Sequence, residues 1–181
     1  VLHRIPDARL VLKYKELYLS SPVARRIAGI FAGHGIDPAR IDMRGAWDHR
    51  EAHLALYHDI DIALDPFPFN GSTTTFEALW MGVPVVTLPG ATMVSRWAAS
   101  MLTTLKLTGQ VAASPADYVD ICRRLVSDPD ALAALRAGLR GRIAASPLCR
   151  PRPKARQIER AYRALWRRWC ASSQGQGRHD H

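Results

Sequence analysis

Four consecutive hydroxyl side chains, Ser72, Thr73, Thr74 and Thr75, stand where a proline- and glycine-broken loop gives way to a helix-forming run. The first four N–H groups of a helix have no partner inside it and carry the positive end of its dipole, so phosphate oxygens are stabilised there. Glu77 follows about one turn beyond Thr73 and Thr74, on nearly the same face, where a carboxylate accepts hydrogen bonds from a diol such as a ribose. The same residues admit a purely structural reading, because Thr74 and Glu77 fit the Ser/Thr-x-x-Glu spacing of a capping box. Four hydroxyls exceed what one cap needs, but spacing alone leaves both readings open. Nearby, Asp59-Ile60-Asp61 spells the Asp-x-Asp pattern that can chelate a divalent cation. Asp61 opens an expected strand whose neighbours alternate away from it, which argues against a shared ion.

A parallel sheet is what positions such residues. Residues 9–14 read as a strand, and Ser21-Pro22 starts a helix that ends at Gly33 or Gly35. Residues 41–43 are a weak second strand. Residues 48–57 have helical spacing with Asp48 as the cap, carry Arg50 and His53, and lead into a third strand over 60–64. Pro66, Pro68, Asn70 and Gly71 break the chain before a helix over 73–81, which stops at Gly82 and feeds the most strand-like run, 83–88. A helix over 95–105, a short apolar run near Val111, helices from Ser114 and Asp130, and a long helix over 154–171 continue the alternation. Strands alternating with helices predict an α/β fold, a Rossmann-like parallel sheet with helices on both faces. Ligands of such sheets sit beyond the carboxyl ends of the strands, where the loop over 66–72 lies. The polar ending SSQGQGRHDH is expected to be disordered, which sets a domain at residues 1–172 and a tail at 173–181.

The 181 residues suffice for one domain with a proper core, and no apolar run approaches the roughly 18 residues of a membrane span. The chain opens at Val1 without a methionine and reads as a fragment. Cys122, Cys149 and Cys170 are odd in number and far apart, which excludes a disulfide framework and a tight zinc site and points to a reducing, cytoplasmic setting. The net charge of +9 is uneven, with about half of the basic residues falling between Arg123 and Arg168. That surplus reads as solvated helix faces rather than a nucleic-acid site, and Trp166 and Trp169 as cover for apolar surface beside arginine stems. His179 and His181 read as part of a frayed terminus rather than a metal site.

The segment NGSTTTFEALWMGVPVVTLPG, followed by Ser95-Arg96-x-Ala-Ala-Ser, resembles the C-terminal catalytic half of the bacterial-type, SPINDLY-like O-linked N-acetylglucosamine transferases with tetratricopeptide repeats upstream. The likeness runs from about Arg9 through RGAWDHREAHLALYHDIDIALDPFPFNG to SPLC and AYRALWRRWC. It implies the GT-B arrangement, two facing Rossmann-like domains, with this chain as the second, donor-binding one. By that resemblance Ser72, Thr73 and Thr74 bind the pyrophosphate of UDP-GlcNAc, Glu77 takes the ribose, His53 sits near the diphosphate and Arg50 lines the nucleotide pocket. The backbone around Trp47 and Asp48 would approach the uracil.

The implied reaction is inverting, metal-independent transfer of N-acetylglucosamine to Ser/Thr hydroxyls of proteins, with no cofactor. Its further partners would be a protein or peptide acceptor, and the N-terminal catalytic half and repeats of the same protein. The acceptor groove and deprotonating group belong upstream, so no residue here is assigned as general base. The stretch Ala55-Leu56-Tyr57 lacks a basic residue that the resemblance leads one to expect before Asp59. Competing readings are a GT-B transferase with another sugar donor or a glycan or lipid acceptor, a sugar-nucleotide epimerase, and a noncatalytic binding module with a basic face.

Overall fold

The computed structural model describes residues 1–45 and 50–176. Strand β1 (Leu10–Lys13) is followed by helix α1 (Ser21–Gly33), which has Pro22 in its first turn and releases the chain through Gly35 at φ +71°. Strand β2 (Ile41–Arg44) returns parallel to β1, with Leu10 opposite Ile41 and Lys13 opposite Arg44. Helix α2 (Arg50–Ala55) tightens into a 3₁₀ turn over Leu56–Asp59 before strand β3 (Ala63–Leu64). Helix α3 (Thr73–Trp80) then crosses over to strand β4 (Val85–Val86), again parallel to β3. Helices α4 (Trp97–Thr104), α5 (Pro115–Val126), α6 (Pro129–Ala145) and α7 (Pro151–Gln176) complete the described chain.

Every described strand pairing is parallel, and helices separate the strands, as the alternation predicted. The ladders are shorter than expected and form two two-stranded pieces, to the second of which Val111 adds a single bridge with Thr87. Pro84 has no N–H to donate, so the run expected over 83–88 is a regular strand only at Val85–Val86. On the other side the ladder holds only Ala63–Leu64, and the Ile60 carbonyl accepts from Arg136 Nη1 at 2.6 Å.

The core lies around β4. Val83, Val85 and Val86 are buried, as are Ala78 and Leu79 of α3, Ala98 and Leu102 of α4, and Leu139 and Ile143 of α6. A strand with helices on both faces is apolar on both, which is why this segment reads as a continuous hydrophobic run. Each of the valine, leucine and isoleucine side chains contributes about 1.5–3 kcal/mol on burial. Val86 also joins Ala112, Tyr118, Ile121 and Cys122, and burial pushes the Cys122 thiol up to about 11. Ser114 caps α5 as expected, its Oγ accepting from Asp117 N–H at 3.1 Å while the Asp117 carboxylate accepts from Ala113 N–H.

Residues Val1–Ile143 form one compact unit and Ala144–His181 a second. Within the second, Ser146 Oγ accepts from Leu148 N–H at 3.1 Å ahead of α7. Trp166 and Trp169 are 63% and 60% exposed and stack on each other, with ring centroids 5.1 Å apart, rather than covering apolar surface. The helix runs past the expected end at residue 171 to Gln176, and within it Ser172 Oγ donates to the Trp169 carbonyl at 2.8 Å. Residues 177–181, including His179 and His181, lie outside the described residues. No described helix is long and apolar enough to cross a membrane.

Candidate functional site

The chain leaves β3 through Asp65, a carboxylate only 4% exposed. Its Oδ2 accepts from Thr87 Oγ1 at 2.5 Å, its Oδ1 accepts from Gly71 N–H at 2.7 Å, and its carbonyl accepts from Tyr118 Oη at 3.1 Å. Asn70, fully buried, donates from Nδ2 to the Pro66 carbonyl at 2.8 Å and from its N–H to the Val94 carbonyl. The loop after β3 is therefore pinned from several sides and delivers the start of α3 in one fixed place. Gly71 allows the close approach: a methyl there would stand 2.7 Å from Thr75 Oγ1 and 2.8 Å from Thr74 Oγ1.

Burial outweighs these hydrogen bonds and raises the Asp65 carboxyl above its usual 3.8. A carboxyl raised in the folded state binds its proton more tightly there than when unfolded. Its contribution to stability is fully present below pH 3.8 and is lost as pH rises through the folded value. Urea unfolding of the wild type and of Asp65→Asn should show the wild-type advantage shrinking with rising pH across that window. An advantage that grows there would reverse the sign.

At the helix start Ser72 occupies the N-cap position without a capping bond from its side chain. Ser72, Thr73 and Thr74 are exposed, whereas Thr75 is buried at 3%. The capping box does not form, because Thr74 is already the second residue of α3 and Glu77 points elsewhere. Glu77 Oε2 lies 2.9 Å from His53 Nε2 and 3.5 Å from Tyr57 Oη, and His53 Nδ1 lies 2.7 Å from Lys13 Nζ. Burial beside the Glu77 carboxylate pushes the Tyr57 phenol well up. Lys13, His53, Glu77 and Tyr57 thus form one row at the carboxyl end of β1, beside the opening turn of α3.

Of the residues expected from sequence, Ser72, Thr73 and Thr74 share the exposed helix start, and His53 and Glu77 meet directly. Arg50 opens α2, but its side chain, like Trp47 and Asp48, lies outside the described residues. Lys13, Tyr57 and Asp65 were not anticipated. Lys13 ends the first strand, where the parallel-sheet rule places ligands, and Tyr57 stands four residues beyond His53; both signals were available. The two acids of the Asp-x-Asp pattern face arginines instead: Asp59 pairs with Arg44 at 2.6 Å and Asp61 with Arg136 at 3.2 Å. A separate cleft of about 450 Å³ is lined by Arg4, Asp120, Arg123 and Arg124, and two of its arginines are paired, Arg123 with Asp120 and Arg124 with Asp117.

Parallel strands joined by helices, with an exposed hydroxyl-bearing helix start beyond their carboxyl ends, define a Rossmann-like half of the GT-B class. The sequence matches the description Glycosyl transferase family 41 over residues 1–158, and the chain belongs to that family. It is 38% identical over 170 residues to a probable UDP-N-acetylglucosamine--peptide N-acetylglucosaminyltransferase SPINDLY of Oryza sativa subsp. japonica, covering 94% of this chain and 18% of that protein. It is 33% identical over 135 residues to the UDP-N-acetylglucosamine--peptide N-acetylglucosaminyltransferase of Caenorhabditis elegans, covering 75% of this chain and 12% of that one. A mutant O-GlcNAc transferase of Thermobaculum terrenum superposes with a TM-score of 0.87 at 37% identity, covering 95% of this chain and 33% of its own. The chain spans about a fifth of the length of the SPINDLY relatives it matches and about an eighth of the Caenorhabditis elegans one.

Proposed function

We propose that this chain is the donor-binding half of an inverting, metal-independent transferase that moves N-acetylglucosamine from UDP-GlcNAc to Ser/Thr hydroxyls of proteins. One observation carries the reading: three exposed hydroxyl residues, Ser72, Thr73 and Thr74, stand at the start of α3, where the first N–H groups have no partner among the described residues. As the bond from the anomeric carbon to the β-phosphate oxygen breaks, charge gathers on the diphosphate, and fixed donors aimed at it lower the barrier. The helix start supplies the positive field that a cation supplies in other transferases. His53 and Arg50 belong beside the leaving nucleotide, and Glu77 Oε1, which makes no hydrogen bond among the described residues, accepts from the ribose diol. The groove for the protein acceptor, the general base, a facing N-terminal half and tetratricopeptide repeats belong to upstream sequence, in a cytoplasmic protein.

Titration of the full chain with UDP, GDP, inorganic pyrophosphate, RNA and an acidic peptide tests this. UDP should bind in preference to the others; RNA or acidic peptide binding without UDP would make the chain a basic docking module. A preference for GDP would assign another donor to the same fold. Glu77→Ala should weaken UDP by about tenfold, the size of one lost hydrogen bond, and leave pyrophosphate nearly unchanged. Equal losses for both ligands would remove the ribose role.

A further inference from the structure

Lys13 on β1, His53 on α2 and Glu77 on α3 come from three separate elements, yet their side chains are in line: 2.7 Å from Lys13 Nζ to His53 Nδ1, then 2.9 Å from His53 Nε2 to Glu77 Oε2. An ammonium has three donors and no acceptor, so the nitrogen facing it must offer a lone pair. A neutral imidazole carries one N–H, and with Nδ1 accepting, that hydrogen sits on Nε2 and points at the Glu77 carboxylate. The Tyr57 ring meets the imidazole edge-on, with centroids 5.9 Å apart at 74°, and fixes its plane. We infer that Lys13 is a positioning residue that holds His53 as the Nε2–H tautomer and, through it, orients Glu77 beside the start of α3.

Side chains at 15% and 22% exposure, as in His53 and Glu77, leave little room for water to substitute for a lost partner. Burial lowers the Lys13 ammonium from its usual value, while the Glu77 carboxylate at the far end of the row works to keep the proton on it. A neutral amine would reverse the pattern, accepting from Nδ1–H and leaving Nε2 bare against the carboxylate. The two arrangements differ in a directly observable hydrogen position.

The inference deepens the donor-site reading, on which only its effect on nucleotide binding depends. Nitrogen-15 imidazole spectra of the full chain test it, with the His53 signals assigned by their loss in His53→Gln. The wild type should show an unprotonated Nδ1 and a protonated Nε2; Lys13→Met should mix the tautomers, and Lys13→Arg should restore the wild-type pattern. A wild-type Nδ1–H tautomer, or an unchanged pattern in Lys13→Met, overturns the inference. Should Lys13→Met not fold, the wild-type and Lys13→Arg spectra decide by the same criterion. UDP affinity should fall by about tenfold in Lys13→Met, as for other residues that orient a ligand-binding side chain. If the tautomer follows Lys13 but UDP binds none of the variants or the wild type, the donor-site reading fails and the positioning role stands.

Discussion

Thr73→Ala combined with Thr74→Ala is expected to weaken UDP binding by about 2–3 kcal/mol, a loss of between about thirtyfold and a hundred and fiftyfold. Hydrogen bonds to charged groups contribute about 1.5–3 kcal/mol each, and exposure of both hydroxyls places them at or below the low end. The backbone N–H groups remain in the double variant, so binding is weakened rather than abolished. Folding should be unaffected, because neither hydroxyl caps the helix and alanine is the better helix former. Calorimetry reads the affinity and urea unfolding the stability. A large loss of stability with unchanged affinity would turn these residues into structural ones.

Asp65→Ala should destabilise the fold by about 2–5 kcal/mol, the cost of leaving one buried and one half-buried donor without an acceptor. The donors are Gly71 N–H and Thr87 Oγ1, on opposite sides of a carboxylate that ties the end of β3 to the residue after β4 and to the last turn of the loop. Because the same bond to Gly71 fixes where α3 begins, UDP affinity should fall with stability in this variant. A midpoint shift in urea corresponding to less than about 1 kcal/mol would show that water replaces the carboxylate, and the loop would then owe its shape to Asn70 and Gly71 instead.

The order of elements was legible because each rests on local chemistry: the short apolar, β-favouring run of Leu10–Lys13, the Ser-Pro start of α1, the proline and glycine breaks before α3, and the Ser114 cap of α5. The helix start carrying Ser72, Thr73 and Thr74 was legible for the same reason. What local chemistry does not encode is pairing across the chain. The spacing left Glu77 open as a capping partner of Thr74, three residues away, and the structure sets it against His53, 24 residues away. Asp65 carried no local signal, because its partners Thr87 and Tyr118 come from later elements. Strand lengths were overstated because a ladder needs a partner strand: Pro84 lacks an N–H, Thr87 bridges to Val111, and the Ile60 carbonyl accepts from Arg136. The tryptophans of α7 showed a helical spacing but not what they touch, which is each other.

The most direct measurement follows the backbone amides of the nitrogen-15-labelled full chain during titration with UDP. Saturable shifts that are largest at Thr73, Thr74 and Thr75 are the predicted result, because the diphosphate would sit on those N–H groups. Saturation with shifts confined to the cleft of Arg4, Arg123 and Arg124, and none at the start of α3, would contradict the account.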